Sequence, residues 1–261
     1  MPEITLAHST EPIFLPTQDD LPYDDGVPME TQRHKWQMDL LIDGLSTWLD
    51  AREDGYVNGN MFVYFNLAQI KNQDFKGPDF FAVVGVPKRE RKSWVVWEEG
   101  KAPDVVIELL SPSTAQYDKT AKKEIYQDKL RVSEYFWYDP FDAADFAGFS
   151  LHSGRYEPIP PTEQGWLRSD RLGLLLRRWS GDYRGIEATW LRWATPEGVV
   201  LPTAQELAVT AQREAAAAQR EAAAAQREAA AAQQEAAAAQ RKAERLAAKL
   251  RELGLNPEDF V

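Results

Sequence analysis

The stretch "APDVVIELLSPSTAQYDKTAKKEIY", residues 102–126, places one carboxylate inside a run that is otherwise typical of a buried strand. From Val105 to Leu110, five of the six residues are strongly apolar, and the exception is Glu108. A short apolar run of this kind predicts a buried strand over 104–110 in an α/β sheet. A buried ionised carboxylate is unfavourable unless it is paired or binds a metal. Glu108 therefore requires a partner from elsewhere in the chain.

Asp79 is the strongest candidate for that partner. It lies at the start of a second apolar stretch, "PDFFAVV" (78–84), which predicts a neighbouring strand. Side chains on paired strands lie about 5 Å apart. Asp104 shares the strand of Glu108, but four residues span roughly 13 Å, which is too far for the two to hold one ion. Two adjacent carboxylates repel, so Asp79 and Glu108 predict a divalent cation, Mg²⁺ or Mn²⁺.

A lysine follows on the next predicted helix, which spans about 119–130 and can be capped by Asp118. At about 100° per residue, Tyr126 and Leu130 belong to the apolar stripe of this helix, and Lys122 lies near the centre of the stripe. Lys122 therefore points toward the sheet. Beside two carboxylates and an ion, a lysine can orient water or stabilise a phosphoryl transition state. The spacing is equally compatible with a purely structural Glu–Lys pair.

The sequence divides into four zones: a Pro- and Asp-rich arm over 1–28, an α/β domain over 29–202, an alanine-rich helix over 203–253 and a tail over 254–261. We expect the arm to be flexible, because it lacks periodicity. Within the α/β domain, the pattern predicts a helix over 29–50, strands over 55–66, 78–86, 93–99, 104–110 and 134–139, and short strands from 146 to 200.

The alanine-rich zone repeats "QREAAAA" three times and then "QQEAAAA", with a period of seven. Such a pattern predicts a helix with a heptad seam, about 75 Å long. Gly254 and Pro257 are expected to end it. Alanine buries little surface, so a solvated helix or weak self-association is favoured over a specific partner-binding coiled coil. The seam contains large apolar residues only near its end, at Leu246, Leu250 and Leu253.

Composition limits the classes of function. The chain of 261 residues has no cysteine, which excludes disulfides and thiolate metal sites. With no signal peptide and no long apolar run, we expect a cytoplasmic protein that does not cross a membrane. The net charge is −11, and residues 1–202 carry 22 Lys and Arg against 32 Asp and Glu. This acidic balance disfavours non-specific binding to nucleic acid.

The stretch "PDFFAVV" followed by "PDVVIELLSPSTAQYDKTAKKEIYQDKLRVSEYFWYDP" (103–140) resembles the Uma family of restriction endonucleases. That family is widespread in cyanobacteria and was first catalogued as a domain of unknown function. The resemblance covers roughly residues 20–200. Its specific part is E-x-x-S-P-S-T, then Asp, Lys four residues later, Tyr four after that, and E-Y-x-x-x-D-P.

The resemblance implies a PD-(D/E)xK nuclease, with a restriction-endonuclease-like mixed sheet flanked by helices and Mg²⁺-dependent phosphodiester hydrolysis. On the family pattern, Asp79 and Glu108 hold the ion, and the backbone carbonyl of Leu109 can join them. The superfamily lysine usually lies two residues after the second acid, where this chain has Leu110. The simple PD-(D/E)xK motif is therefore absent from this chain. In the Uma family the lysine lies on the following helix instead, and Lys122 matches that position.

Further site residues are also implied. A glutamate on the first helix often completes the site in related nucleases, and Glu30 is the nearest match. His34, one turn later, is expected to be an ordinary, partly exposed histidine, and Tyr126 is a possible additional site residue. The basic turn over 88–92 is expected to be solvated or to contact phosphate.

The sequence thus favours an endonuclease that cleaves nucleic acid, with DNA favoured over RNA. The alternative is a catalytically silent nuclease fold that acts as a binding or scaffold protein through its C-terminal helix. The acidic balance and the regular repeats favour that alternative, whereas the retained site residue types disfavour it.

Overall fold

The computed structural model describes residues 15–23, 31–69, 76–254 and 256. Glu30, most of the predicted arm and most of the predicted tail lie outside these residues. The chain separates into two compact units, Met1–Ala204 and Gln205–Val261.

The first unit is an α/β structure. Its strands are β1 (Asp54–Asn58), β2 (Val63–Tyr64), β3 (Phe80–Pro87), β4 (Trp94–Val95), β5 (Val105–Leu109), β6 (Glu134–Tyr138), β7 (Phe146–His152), β8 (Arg155–Pro158), β9 (Leu167–Ser169), β10 (Leu174–Tyr183) and β11 (Ile186–Ala194). Its described helices are α1 (Gln32–Asp50), the single turn α2 (Val96–Glu99) and α3 (residues 115–130).

The central sheet has six strands in the order β1–β3–β5–β6–β7–β8. Only the β5–β6 pair is parallel; the other neighbouring strands are antiparallel. The α3 crossover therefore joins the two parallel strands, as parallel pairing requires. The sheet is mixed and mostly antiparallel, which confirms the predicted fold class.

Helices and smaller sheets cover both faces of this sheet. One core contains α1, the β9–β10–β11 sheet and one face of β5, represented by Val105, Ile107 and Leu109. The other core contains α3, the β2–β4 pair and the opposite face of β5, represented by Val106. Because side chains alternate along a strand, Glu108 points to the α3 side with Val106. The two cores thus bury β5 on both faces.

Helix α1 begins after Thr31, whose Oγ1 accepts the His34 N–H at 3.2 Å. This helix and strands β5 and β6 confirm the predicted elements. The predicted strand over 55–66 is divided into β1 and β2 by a turn at 59–62.

The predicted strand over 93–99 is wrong beyond its first residues. Strand β4 has only two residues and leads directly into α2. Acidic residues occupy the first turn of α2, where they favour a helix N-terminus, and Gly100 ends it in the left-handed region with φ +70°.

The basic turn over 88–92 is not uniformly solvated as predicted. Arg91 is buried, pairs with Glu99 at 2.7 Å and stacks on Tyr56 and Trp94. Its guanidinium therefore joins the turn to α2 and to the aromatic core. Lys88 and Arg89 keep exposed side chains.

The second unit consists of α4 (Ala204–Glu252), a continuous helix of 49 residues with no buried residue. At 1.5 Å per residue it is about 74 Å long. Gly254 follows its end with φ +77°, as the sequence predicts. Pro257 lies outside the described residues.

Candidate active site

Glu108 lies near the end of β5, and its side chain is completely buried. Its Oε1 accepts a hydrogen bond from the Tyr126 hydroxyl at 2.8 Å, and its Oε2 lies 2.8 Å from Lys122 Nζ. The backbone N–H of Asp79 donates to the same Oε2 at 3.4 Å. Burial raises the pKa of Glu108 to about 8, although Lys122 opposes the shift. Strands β3 and β5 and helix α3 thus converge on one carboxyl group.

Asp79 lies directly before β3, at the partly exposed side of this cluster. Its Oδ2 accepts the Leu109 N–H at 2.8 Å. In an extended strand, the N–H and C=O of one residue point to the same edge, so the Leu109 carbonyl also faces Asp79. Burial raises the pKa of Asp79, and the charge of Lys122 lowers it in part.

Lys122 connects the carboxylates. Its Nζ lies 2.8 Å from Glu108 Oε2 and 3.3 Å from Asp118 Oδ1. Burial lowers the pKa of Lys122, but Glu108, Asp79 and Asp118 raise it more, so the net shift is upward. Lys122 is therefore a fixed ammonium group. Of the six site residues that the sequence selects, the structure brings five together: Asp79, Glu108, Leu109, Lys122 and Tyr126.

The sequence predicts that Asp118 caps α3, and this prediction is wrong. The helix begins three residues earlier, at residue 115. Instead the Asp118 side chain is buried on the same face of the helix as Lys122, one turn away. Asp118 Oδ1 has no hydrogen bond of good geometry to any described residue. Tyr135 donates its hydroxyl to the Asp118 carbonyl at 2.8 Å, which fixes this turn against β6.

The winding of α3 explains why these side chains share one face. Residues 118–122 and 126–130 form π-helical turns, separated by a short α-helical turn. Because π turns bond i to i+5 and α turns bond i to i+4, their alternation gives about four residues per turn. Side chains four residues apart then form a straight column facing the sheet: Asp118, Lys122, Tyr126 and Leu130.

His34 is buried, not partly exposed as predicted. Its Nε2 lies 2.9 Å from the Leu110 carbonyl, and its Nδ1 lies 2.8 Å from Thr31 Oγ1. The contact joins the first turn of α1 to the end of β5, 76 residues away in sequence. Such a long-range contact has no local sequence signal. Glu30, which the family resemblance suggests as a further site residue, lies outside the described residues.

The donors at this site suit a small, hard cation. Mg²⁺ is commonly held by one or two carboxylates, with water and substrate phosphate completing its shell. Asp79, Glu108 and the Leu109 carbonyl supply oxygens of this type. Within the described ranges, no group of three His, Cys, Asp or Glu side chains is placed to hold a metal ion. Two carboxylates and one carbonyl would leave the remaining positions around such an ion to water and substrate.

The mixed sheet covered by helices has a restriction-endonuclease-like fold, and two acids and a lysine meet at the end of its central strands. Residues 14–180 match the model of the Uma2 family, described as "Putative restriction endonuclease". The chain belongs to this family.

Among solved structures, the chain is similar to a crystal structure from Anabaena variabilis, described as "a putative nuclease belonging to DUF820". The two are 18% identical with a TM-score of 0.41, and the match covers 61% of this chain and 90% of that one. A comparison with curated proteins finds no match. In the described part of the chain, no helix is long and apolar enough to span a membrane.

Proposed function

We propose that the protein is a metal-dependent endonuclease that hydrolyses phosphodiester bonds, with DNA as its substrate. The observation that supports this proposal is the convergence of Asp79, Glu108 and Lys122 at a partly exposed end of the central sheet. Asp79 contacts Glu108 from 29 residues away in sequence. Lys122 contacts Glu108 from a different element, helix α3. Family membership supports the same class of activity.

In this proposal, Asp79, Glu108 and the Leu109 carbonyl hold Mg²⁺ or Mn²⁺. The bound ion supplies electrophilic stabilisation of the scissile phosphate and lowers the pKa of coordinated water. Tyr126 holds Oε1 of Glu108, so Oε2 stays directed at Lys122 and Asp79. The Lys122 ammonium stabilises charge that develops on the phosphate oxygens.

The domain boundaries belong to the same proposal. We assign the activity to residues 29–202 and a separate, association role to the helix over 203–253. The absence of cysteine from the sequence supports a cytoplasmic location.

A cleavage assay tests the proposed activity. The full chain is incubated with single-stranded and duplex DNA and RNA, in Mg²⁺, in Mn²⁺ and in EDTA. We expect cleavage of DNA that EDTA abolishes. No cleavage of any substrate in either metal would contradict the proposal.

The second candidate is a silent nuclease fold that acts as a scaffold through α4. The exposed helix of 49 residues and the net charge of −11 favour it. A Mn²⁺ titration separates the two candidates, because a nuclease site should bind the ion and should lose affinity in Asp79→Asn. A protein that binds no Mn²⁺ would support the scaffold.

A further inference from the structure

A phenylalanine lies exposed in the loop after β6, at the same end of the central sheet as the candidate active site. Phe141, in the loop between β6 and β7, is 65% exposed. Its ring lies 5.9 Å from the His34 ring, and His34 Nε2 contacts the Leu110 carbonyl at the end of β5. Leu109, the residue before, donates its N–H to Asp79. Three contacts, by way of His34 and the end of β5, therefore lead from this exposed ring to Asp79.

The loop that carries Phe141 is held in one conformation. Asp139 Oδ1 accepts the N–H of Phe141 at 2.7 Å and that of Asp142 at 3.1 Å. The Asp139 N–H in turn donates to the Asp145 carbonyl at 3.0 Å. A preorganised loop loses little conformational entropy when it binds a ligand. An apolar ring that is exposed on a fixed loop is suited to contact a flat partner.

Arg33 provides a cation beside this ring. Its guanidinium carbon lies 4.4 Å from the Trp190 ring centroid and 5.8 Å from that of Phe141. No carboxylate of the described residues lies within ion-pair distance, and Arg33 Nη1 is buried without a hydrogen-bond partner among them. The rest of the Arg33 side chain is partly exposed. A cation that no carboxylate neutralises favours an anion from outside the chain.

We propose that Arg33 and Phe141 form a nucleotide subsite for single-stranded nucleic acid, a proposal that rests on the proposed nuclease function. Phe141 stacks on a base, and Arg33 binds a backbone phosphate of the same strand. Aromatic rings combined with cations are the usual means of binding single strands, because every base has a π face. A base within a duplex already stacks on its neighbours, so its face is covered. The subsite therefore selects strands with unpaired bases near the scissile phosphate.

The experiment measures binding without cleavage. Fluorescence anisotropy of the full chain in EDTA reports its affinity for a labelled 12-nucleotide oligo-dT and for the corresponding duplex. We expect Phe141→Ala to weaken single-strand binding about tenfold, because one stacked base is lost. We expect a much smaller effect on the duplex. Phe141→Trp should retain the affinity.

Arg33→Ala should also weaken single-strand binding, and it should reduce the slope of log affinity against log salt by about 0.7. Because Arg33 packs on Trp190, its loss could disturb the fold. Arg33→Lys retains the charge and should keep most of the salt slope.

Two matched controls isolate the subsite. Tyr23 is 63% exposed, close to the exposure of Phe141, but belongs to the segment that packs near Tyr64. Arg52 stacks on Trp48 at 4.9 Å beyond the opposite end of α1. Tyr23→Ala and Arg52→Ala should bind single strands like the wild type.

The outcomes separate this inference from the proposed function. Binding that Phe141→Ala and Arg33→Ala weaken, in a protein that cleaves nothing, would retain the subsite and reject the nuclease. Cleavage together with unchanged binding in both variants would reject the subsite and retain the nuclease. A wild type without affinity for the single strand, or equal losses on duplex and single strand, would also overturn the inference.

Discussion

Strand β5 carries two buried acids at its two ends, and their surroundings differ. Asp104, just before the strand, receives Arg171 Nη2 at 2.6 Å, Lys101 Nζ at 2.7 Å and the Val84 N–H at 2.9 Å. Two cations and one backbone donor thus satisfy a single carboxylate. At the other end, Glu108 shares the one ammonium of Lys122 with two further acids, Asp79 and Asp118.

The difference is the one we expect between an acid with a structural role and an acid that belongs to the proposed metal site. At Asp104 the positive charges exceed the negative, and every carboxylate oxygen has a partner. Around Glu108 three carboxyl groups share one ammonium group, and Asp118 Oδ1 has no well-formed hydrogen bond. Uncompensated buried charge is unfavourable in the free protein. A bound cation would favour the ionised carboxylates, as the proposed metal site requires.

The largest expected effect is on the cleavage rate, when the carboxylate of Glu108 or the ammonium of Lys122 is removed. Glu108→Gln and Lys122→Met should each reduce cleavage at least about 100-fold, because the ion loses a ligand or the phosphate loses its cation. Initial rates in Mg²⁺, with circular dichroism to verify folding, provide the measurement.

Lys123→Met is the matched control for that prediction. Lys123 is adjacent in sequence, but its Nζ lies 3.3 Å from the Phe149 ring centroid and away from Glu108. We expect a rate within a few-fold of the wild type. A near wild-type rate in Glu108→Gln or Lys122→Met would show that the assigned site is wrong.

Metal ions should stabilise the fold only through the Glu108 end. An ion that binds the native state alone, at 100 times its dissociation constant, adds about 2.7 kcal/mol to the free energy of unfolding. Thermal melts in Mn²⁺ and Mg²⁺ measure this gain, with Asp104→Asn as the variant that should retain it. A melting temperature unchanged by millimolar ion would favour a structural Glu–Lys pair.

The same stabilisation should depend on pH. Burial raises the pKa of Glu108 to about 8, so below that pH the ion must displace a proton. Raising the pH from 6.5 to 8.5 should therefore strengthen Mn²⁺ binding about 25-fold, in proportion to the ionised fraction of Glu108. Without metal, the sign reverses: a raised carboxyl pKa stabilises the fold at low pH, and that contribution is lost as the pH rises toward 8. Mn²⁺ affinity that is flat or falls across this range would contradict the assignment of Glu108.

At the Asp104 end of β5, a substitution should lower the free energy of unfolding and leave Mn²⁺ binding unchanged. Asp104→Asn keeps a side-chain acceptor for Val84 but loses the charge that pairs with Lys101 and Arg171. Because both cations are partly exposed, we expect a loss of only about 1–2 kcal/mol in unfolding free energy. Urea denaturation measures it. If Asp104→Asn lost Mn²⁺ affinity and kept its stability, the assignment of a structural role to Asp104 would be wrong.

The smallest effect should come from removing α4. Pro202 accepts a hydrogen bond from Thr47 at 2.7 Å, and Leu201 packs in the core, so a cut after Thr203 keeps these contacts. The shortened chain should fold and bind Mn²⁺ with unchanged affinity. Sedimentation over a concentration series should show less self-association than the full chain. Identical oligomeric states would assign any dimer to the α/β unit.

The sequence was informative about β5 and α3 because their signals are local. An isolated acid in an apolar run and a lysine on an apolar stripe identify Glu108 and Lys122 without long-range information. Asp118 was missed because capping preference and a uniform 100° per residue both describe an ordinary α-helix. His34 and Arg91 were misjudged because their partners, Leu110 and Glu99, depend on how separate segments pack.

The alternating turns of α3 also affect how related sequences are recognised. In a uniform α-helix, residues four apart rotate by about 40° per step, so three steps carry a side chain about 120° around the axis. A hydrophobicity search tuned to a period of 3.6 therefore spreads the signal of residues 118, 122, 126 and 130 over several faces. A period of four recovers it as a single line. A search for distant homologues should therefore use a period of four residues, with D-x-x-x-K-x-x-x-Y as its sequence motif.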